Sequence, residues 1–327
     1  MKAWLVRELG EPREVLTLAE VPEPAPGPGQ VLVRVRAAAA NFPDVLMCRG
    51  GYQVRPPLPF TPGIELCGEI VAVGADVDGL AVGDRVLGGS SLPSGAYAEL
   101  AVMNASSVFP APEGLDDAEA AAFFITYQTG WFGLHRRARL AAGETLLVHA
   151  AAGGVGSGAV QLGKAAGARV IGVVGGERKA EVARALGADV VVDRLSQDFV
   201  EVVKEVTDGR GADVVYDGVG KDTFDASLGA LRPRGLMALF GGSSGQVPPF
   251  DPQRLNSGGS LFLTRPTLAN YTADRAELLW RAGDVLDAVA RGELNVRIGL
   301  EYSLAHAPQA HEDLAARRTT GKLILVP

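Results

Sequence analysis

The spacing of hydrophobic and polar residues changes character near residue 117. Before that point, short apolar stretches alternate with polar residues between turns. In residues 30–37, Val31, Val33 and Val35 alternate with one leucine and two arginines, which predicts a strand with one buried face. Glycine- and proline-rich corners separate five similar stretches, at residues 2–6, 16–19, 69–73, 84–87 and 96–102. Together they predict a small, partly closed β-barrel.

The second pattern alternates apolar strands with helical segments. A capped, largely buried helix is predicted to start at Asp117. After Gly143, six predicted strands follow, and helical segments lie between the first five, for instance residues 180–186 and 199–206. The strands are predicted at residues 146–149, 170–174, 190–192, 214–216, 236–240 and 260–263. This order predicts an α/β fold with a doubly wound parallel sheet.

The last part of the chain continues neither pattern. An amphipathic helix is predicted from Asp274 to Arg291, then a strand at 294–298, a helix at 307–317 and an apolar end at 321–327. These segments are predicted to return to the first domain. We therefore expect one domain from residues 1–120 and 268–327, and a second from residues 121–267.

A glycine-rich turn lies at the start of the second domain, between a predicted strand and a predicted helix beginning at Val155. Ala151, Gly153 and Gly156 occupy the three small positions of a Gly-x-Gly-x-x-Gly variant. Such a turn places backbone N–H groups and the positive end of a helix dipole at one point, which suits a pyrophosphate. The alternative is a merely tight strand-to-helix turn. The strand and helix on either side favour a Rossmann dinucleotide site.

Composition narrows the partners and the compartment. The net charge of −7 disfavours a broad nucleic-acid surface, so no nucleic-acid partner is expected. Cys48 and Cys67 cannot build a disulfide framework. We find no signal-peptide pattern and no uncharged apolar run of about 18 residues, the length that a membrane helix needs. The sequence therefore predicts a cytoplasmic protein with small-molecule partners and no membrane association.

With these motifs in view, the chain resembles the zinc-independent quinone oxidoreductases, the zeta-crystallin branch of the medium-chain dehydrogenase/reductases. The match is strongest at GETLLVHAAAGGVGSGAVQLGK, residues 143–164, and extends over nearly the whole chain. Other matching motifs are NFPD (41–44), PGIELCGEIVAVG (62–74), VGDRV (82–86), YDGVG (216–220), FGGSSG (240–245), TRP (264–266) and TGKLILVP (320–327). The resemblance implies a GroES-like β-rich catalytic domain beside the Rossmann domain.

No metal site is expected. A catalytic zinc needs three or four Cys, His, Asp or Glu ligands, and the two cysteines have no companions at metal spacing. In the zinc-dependent relatives a cysteine ligand lies near the position of Asn41, and a His-Glu pair stands where this chain has Ile64-Glu65. Metal-assisted alcohol oxidation is therefore not predicted.

NADPH is the expected cofactor. An NAD site places a carboxylate after the second strand, whereas this chain has Gly175-Gly176 there, then Glu177, Arg178 and Lys179. Cations in a first helical turn oppose the helix dipole unless an anion binds. The alternative for Lys179 is a solvated helix face. By resemblance, Lys179 matches the family's phosphate-contacting lysine.

The resemblance also implies a site in the cleft between the two domains. Asn41 and Tyr52 would be the catalytic residues lining the acceptor site, where Leu46 replaces a second tyrosine common in the family. The residues expected to bind the cofactor are Thr129, Gly153, Gly154, Val155, Gly156, Gly175, Lys179, Arg194, Phe240, Gly241, Arg265 and Arg317. From sequence alone Asn41 could equally cap the helical turn that follows it, and Tyr52 could be a packing or gate residue.

The expected function is NADPH-dependent reduction of a quinone without zinc, by hydride or by single electrons, in a homodimer whose exposed sixth strands pair. One alternative is reduction of an activated C=C bond in an enal, enone or enoyl thioester. Another is a binding protein, crystallin-like or RNA-binding, that retains the cofactor fold.

Overall fold

We describe a computed structural model that covers residues 1–271 and 275–327. Its strands, in chain order, are β1 Lys2–Val6, β2 Leu16–Glu20, β3 Gln30–Ala40, β4 Glu65–Val73, β5 Arg85–Ser90, β6 Leu100–Pro110, β7 Thr145–His149, β8 Arg169–Val174, β9 Val190–Asp193, β10 Ala212–Asp217, β11 Leu231–Leu239, β12 Phe262–Thr264, β13 Ile298–Ser303 and β14 Lys322–Val326.

The α-helices are α1 Pro12–Val15, α2 Phe42–Cys48, α3 Asp117–Ala121, α4 Phe124–Trp131, α5 Gly154–Ala165, α6 Glu177–Ala185, α7 Phe199–Val206, α8 Phe224–Gly229, α9 Gln253–Ser257, α10 Leu268–Tyr271, α11 Arg275–Ala290 and α12 Ala307–Ala315. A π-helical segment, Phe132–Arg137, follows α4, and a 3₁₀ turn, Leu304–His306, precedes α12. The start of the amphipathic helix predicted at Asp274 lies outside the described residues.

The chain forms two compact units, Met1–Ile125 with Val296–Pro327, and Thr126–Asn295. The sequence-based boundary at 267/268 differs from the end of the second unit. The reason is that α11 packs within that unit: Arg281 is fully buried and its Nε donates to Gln128 Oε1 of α4 at 2.6 Å. Trp280 also meets Trp131 edge-on.

The first unit is built on a six-stranded sheet in the order β13-β14-β3-β4-β5-β6, and an extra pairing of β3 with β6 closes four of its strands into a barrel. The C-terminal strand β14 pairs with β3 from Leu323 opposite Ala40 to Leu325 opposite Ala38. The chain end therefore joins the barrel strand that leads into α2. The predicted strand at 294–298 lies further on, as β13.

The second unit contains a six-stranded parallel sheet in the order β12-β11-β10-β7-β8-β9. Written from the first strand of the unit, this is the 3-2-1-4-5-6 order of a Rossmann fold. The doubly wound parallel sheet and the separate β-rich domain predicted from the sequence are confirmed. Phe262 of β12 lies at the sheet edge and is 58% exposed.

The helix predicted to run on from Asp117 is interrupted after α3. Its first turn is capped as expected, because the Asp116 side chain accepts from the N–H of Glu119. The chain then turns at residues 122–123, and α4 begins at Phe124. The N–H of Ile125, in this new first turn, donates to the buried carboxylate of Glu65 at 2.7 Å. Glu65 thus satisfies a group that has no partner within its own helix.

Candidate functional site

The glycine-rich turn joins β7 to α5. Ala150 adopts a left-handed φ of 51°, and its carbonyl accepts the N–H of Gly153 at 2.8 Å. Gly153 is the N-cap of α5 and has no side chain to satisfy the first N–H groups of the helix, which belong to Gly154, Val155 and Gly156. These donors and the positive end of the helix dipole suit an anion.

Gly156 is required by the close packing of this helix on its strand. A Cβ on Gly156 would lie well inside contact distance of the Ala150 carbonyl oxygen and 3.0 Å from the Cα of Ala151. Both obstacles are backbone, so they cannot move without opening the turn. Position 156 therefore has to lack a side chain for α5 to pack this closely on the turn.

Cations surround the end of β8. The guanidinium of Arg194 lies against Gly175, with its Nε 3.3 Å from the place a Cβ would take. In the first turn of α6, Arg178 is exposed and Lys179 is half-buried. Glu177, the first carboxylate after β8, pairs with Arg184 at 2.6 Å. The charge at this strand end therefore suits a phosphate better than a ribose hydroxyl.

Asp193, at the end of β9, fixes the turn that carries these cations. Its Oδ1 accepts the N–H of Gly176 at 2.9 Å and that of Leu195 at 3.0 Å. These backbone hydrogen bonds, the one from Gly176 first, lower the pKa of Asp193. The carboxylate therefore holds the turn in place, a role that was not predicted from the sequence.

Four predicted cofactor residues are connected through Tyr216, which was not predicted. The Tyr216 hydroxyl donates to the carbonyl of Thr129 at 2.9 Å, and its ring stacks on Phe240 with centroids 4.2 Å apart. Arg265 Nη1 donates to the carbonyl of Phe240 at 2.8 Å, and Gly241 follows Phe240 directly. The structure thus brings Thr129, Phe240, Gly241 and Arg265 together.

Asp217, next to Tyr216, anchors the loop after β10. Its side chain is fully buried and also lies near His149 of β7, whose pKa burial lowers. Its hydrogen-bond donors, at 2.7 to 3.1 Å, are the N–H groups of Val219 and Gly220 and the hydroxyls of Thr223 and Ser227. This loop supports Phe240, since a Cβ on Gly218 would lie 2.5 Å from the ring's Cζ.

The first unit holds a buried polar cluster around Asn41. Lys322 Nζ donates to Asn41 Oδ1 at 2.6 Å and to Glu65 Oε2 at 2.7 Å. Asn41 Nδ2 donates to the same Glu65 oxygen at 3.0 Å and to the carbonyl of Ala39 at 3.1 Å. Glu65 is fully buried and the Lys322 side chain is 4% exposed. A charged pair in such a position is stable only when its members are well hydrogen-bonded.

A second buried chain begins at the N-terminus of α2. Asp44 accepts the N–H groups of Asn41 at 2.9 Å and Gly63 at 3.0 Å, and Tyr97 lies between Asp44 and His311. Burial raises the pKa of Asp44 to about 7 and lowers the pKa of His311 to about 3. Asn41 therefore stands at the N-cap position of α2, but its side chain faces Lys322 and Glu65.

Tyr52 follows the C-terminal end of α2, so the two predicted catalytic residues flank a seven-residue helix, roughly 10 Å long. Tyr52 is half-buried and packs against the barrel core. Leu46 lies beside the same loop, its carbonyl accepting the N–H of Gly51 at 2.8 Å. Arg317 belongs to the first unit, where it lies just beyond α12 in a left-handed conformation with φ of 58° and is exposed.

Within the described ranges 1–271 and 275–327, no group of three or more His, Cys, Asp or Glu side chains is placed to hold a metal ion. Function without zinc stays a prediction. Over the same residues, we find no helix with the length and apolar character needed to cross a membrane.

The parallel sheet with its glycine turn, together with the separate β-barrel unit, defines a two-domain dehydrogenase. Family models agree: residues 27–113 match the alcohol dehydrogenase GroES-like domain, and residues 154–273 match the zinc-binding dehydrogenase model.

Comparisons with curated proteins and solved structures identify the family more specifically. The chain is 41% identical to a quinone oxidoreductase of Pseudomonas aeruginosa over 89% of both chains, and 38% identical to a 2-haloacrylate reductase of a Burkholderia species over 82% of this chain and 81% of that protein. A structure of Escherichia coli quinone oxidoreductase complexed with NADPH matches with a TM-score of 0.95 at 37% identity and covers both chains fully. The chain belongs to the quinone oxidoreductases of the medium-chain dehydrogenase/reductase superfamily, and the protein is an oxidoreductase.

Proposed function

We propose that the protein uses NADPH to reduce a quinone, without zinc. The observation that carries the proposal is the glycine turn at α5 combined with the cations after β8. The first feature fits a dinucleotide pyrophosphate, and the second fits a 2′-phosphate. The relatives named quinone oxidoreductase, one of them solved with NADPH, support the choice of cofactor and acceptor.

Bound NADPH would supply a hydride, and the one proton that completes a hydroquinone can come from water. The protein's task is then to bind and orient. The N–H groups of Gly154, Val155 and Gly156 would hold the pyrophosphate, and Lys179 and Arg194 the 2′-phosphate beside Gly175. Thr129, Phe240, Gly241, Arg265 and Arg317 would make the remaining cofactor contacts, and Asn41 and Tyr52 would line the acceptor site, with Tyr52 donating to the acceptor oxygen.

The first experiment follows NADPH oxidation at 340 nm with 1,4-benzoquinone, with 9,10-phenanthrenequinone and without acceptor. We expect turnover that depends on quinone. Absence of quinone turnover, with NADPH binding intact by fluorescence titration, would overturn the assignment of the acceptor while preserving that of the cofactor.

A second candidate function is reduction of an activated C=C bond, which the 2-haloacrylate reductase relative favours. That reaction requires a proton donor at the α carbon, in addition to the hydride. A panel of enones, enoyl thioesters and 2-haloacrylates in the same assay separates the two. Turnover of the alkenes without quinone turnover would make this the function.

We further propose a cytoplasmic homodimer. Phe262 exposes an apolar side chain on an edge strand, which proteins usually cover. Two free cysteines are consistent with a reducing compartment. Sedimentation at micromolar concentration should show a dimer that Phe262→Glu dissociates. Leu195→Glu is the matched control, because Leu195 is 66% exposed away from that strand. A wild-type monomer would contradict the proposal.

A further inference from the structure

The buried cluster of Asn41, Glu65 and Lys322 determines which way the Asn41 amide points. A carboxylate only accepts hydrogen bonds and an ammonium only donates them. Glu65 therefore requires Nδ2 of Asn41, and Lys322 requires Oδ1. The opposite orientation would place Oδ1 against a carboxylate and Nδ2 against an ammonium. The two charged partners thus exclude the flipped amide.

In this orientation both N–H groups of the Asn41 amide already have acceptors. Nδ2 has two hydrogens, and the carboxylate of Glu65 and the carbonyl of Ala39 accept them. Oδ1 accepts one hydrogen bond from Lys322. The N–H of Asp44, which faces Asn41 from the first turn of α2, donates to the backbone carbonyl of Asn41 at 3.0 Å, so Oδ1 keeps a second lone pair. Asn41 is therefore equipped to accept a hydrogen bond from a ligand and not to donate one.

We propose that Lys322 and Glu65 are positioning residues that make Asn41 a hydrogen-bond acceptor in the acceptor site. The inference rests on the proposed function. A ligand group that meets Asn41 must then carry a donor, such as an amide N–H or the hydroxyl of a reduced acceptor. Negative charge developing on an acceptor oxygen must be stabilised by another group, Tyr52 or water.

A charge exchange between Asn41 and Glu65 tests the proposal. Asn41→Asp places two carboxylates side by side and should lower kcat/KM at least 30-fold. The double variant Asn41→Asp/Glu65→Gln removes one of the two carboxylates, keeps one negative charge beside Lys322 and preserves the acceptor at position 41. The NH₂ group introduced at position 65 donates to the new carboxylate at position 41 but replaces an acceptor of Lys322, and the Ala39 carbonyl loses its donor, so the repair is partial. We expect kcat/KM to recover at least fivefold relative to Asn41→Asp, which is about 1 kcal/mol.

Stability and activity must be compared in the same variants. If the double variant regains its urea midpoint but not its kcat/KM, Asn41 acts as a donor and the proposal is overturned. If the double variant regains neither its urea midpoint nor its kcat/KM, the variant Lys322→Met tests the proposal instead. The proposal then requires a kcat/KM loss of about tenfold while the dissociation constant for NADPH stays within twofold.

The pH profile separates positioning from simple packing. Lys322→Met leaves the Glu65 side chain buried without its cation, and burial disfavours an unpaired charge. The pH profile of kcat/KM should gain an ionisation that the wild type lacks, which Lys322→Met/Glu65→Gln should remove. Asp44 also lies close to Lys322 and Glu65 and is retained in both variants, so any ionisation that survives the double change belongs to it.

The control variant is Arg232→Met, which removes a cation from the buried Asp213 of the second unit. It should lose stability without gaining the new ionisation. A profile in Lys322→Met unchanged from wild type would contradict the proposal.

The amide itself can be observed without turnover. The chain has five asparagines, so selective ¹⁵N-asparagine labelling gives a small set of side-chain NH₂ signals. Signals absent in Asn41→Asp identify residue 41, and both of its protons should shift in Glu65→Gln and be protected from exchange. An exposed, rapidly exchanging NH₂ would overturn the proposed orientation even if quinone turnover is confirmed. A protected NH₂ without quinone turnover would instead reject the acceptor assignment alone.

Discussion

The glycine turn of the second unit and the buried cluster of the first are built in opposite ways. The turn uses consecutive residues, and its binding groups are backbone amides that any sequence possesses. The cluster joins side chains far apart in the chain: Lys322 lies 281 residues from Asn41 and 257 from Glu65. The turn is therefore sensitive to added atoms, whereas the cluster is sensitive to changes of charge at nearly constant shape.

The largest expected effect follows from this sensitivity to added atoms. Gly156→Val would drive a side chain into the Ala150 carbonyl, which is backbone and cannot yield without opening the turn. We expect NADPH affinity to fall at least 100-fold, about 2.7 kcal/mol. Fluorescence titration with NADPH measures it.

The control for this change is Gly229→Ala, at the end of α8. A Cβ there meets nothing within 4 Å, so affinity should be unchanged. If Gly156→Val bound NADPH as tightly as the wild type, the close approach would have no part in the cofactor site.

The same contrast explains how far the sequence could be interpreted. The parallel sheet, the barrel strands and the position of the turn follow from local periodicity and from glycine spacing, so they could be predicted. The approach of Lys322 to Asn41 could not, because it depends on β14 pairing with β3 at the far end of the chain. The break between α3 and α4 was missed for a similar reason, since Glu65 is what satisfies Ile125.

The roles of Tyr216 and Asp217 were also missed, although both stand in the recognised YDGVG motif. Nothing local shows that a buried tyrosine will connect Thr129 to Phe240. The second domain boundary was placed too early because α11 looked like the start of a new pattern. Its contacts with Gln128 and Trp131 are visible only in three dimensions.

The next largest effect is on the pH dependence of stability. As pH changes, the buried Asp44 and His311 of the first unit should make opposite contributions to the free energy of unfolding. The pKa of Asp44 is raised to about 7 in the folded state. Between about pH 4.5 and 6, Asp44 therefore holds a proton in the folded state and releases it on unfolding. Its contribution to stability falls as pH rises. His311 has its pKa lowered to about 3, so it gains a proton on unfolding, and its contribution rises with pH. Each contributes about 1.4 kcal/mol per pH unit, and the two cancel.

Asp44→Asn should unmask the histidine, so that stability rises from pH 4.5 to 6 by about 2 kcal/mol relative to the wild type. His311→Gln, which keeps a partner for Tyr97, should unmask the aspartate and give a fall of similar size. Urea unfolding at four pH values measures both. Parallel pH curves in the two variants would refute the opposed titrations.

The smallest expected effect concerns the cations that accompany the glycine turn. The turn's amides serve any pyrophosphate, so discrimination between NADPH and NADH must come from side chains such as Lys179. Lys179→Ala should raise KM for NADPH about tenfold, about 1.4 kcal/mol, while KM for NADH changes less than twofold. Lys204→Ala, an exposed lysine on α7, is the matched control and should change neither value. An unchanged KM for NADPH in Lys179→Ala would leave Lys179 as an ordinary solvated helix residue and move the discrimination to Arg194, whose guanidinium lies against Gly175.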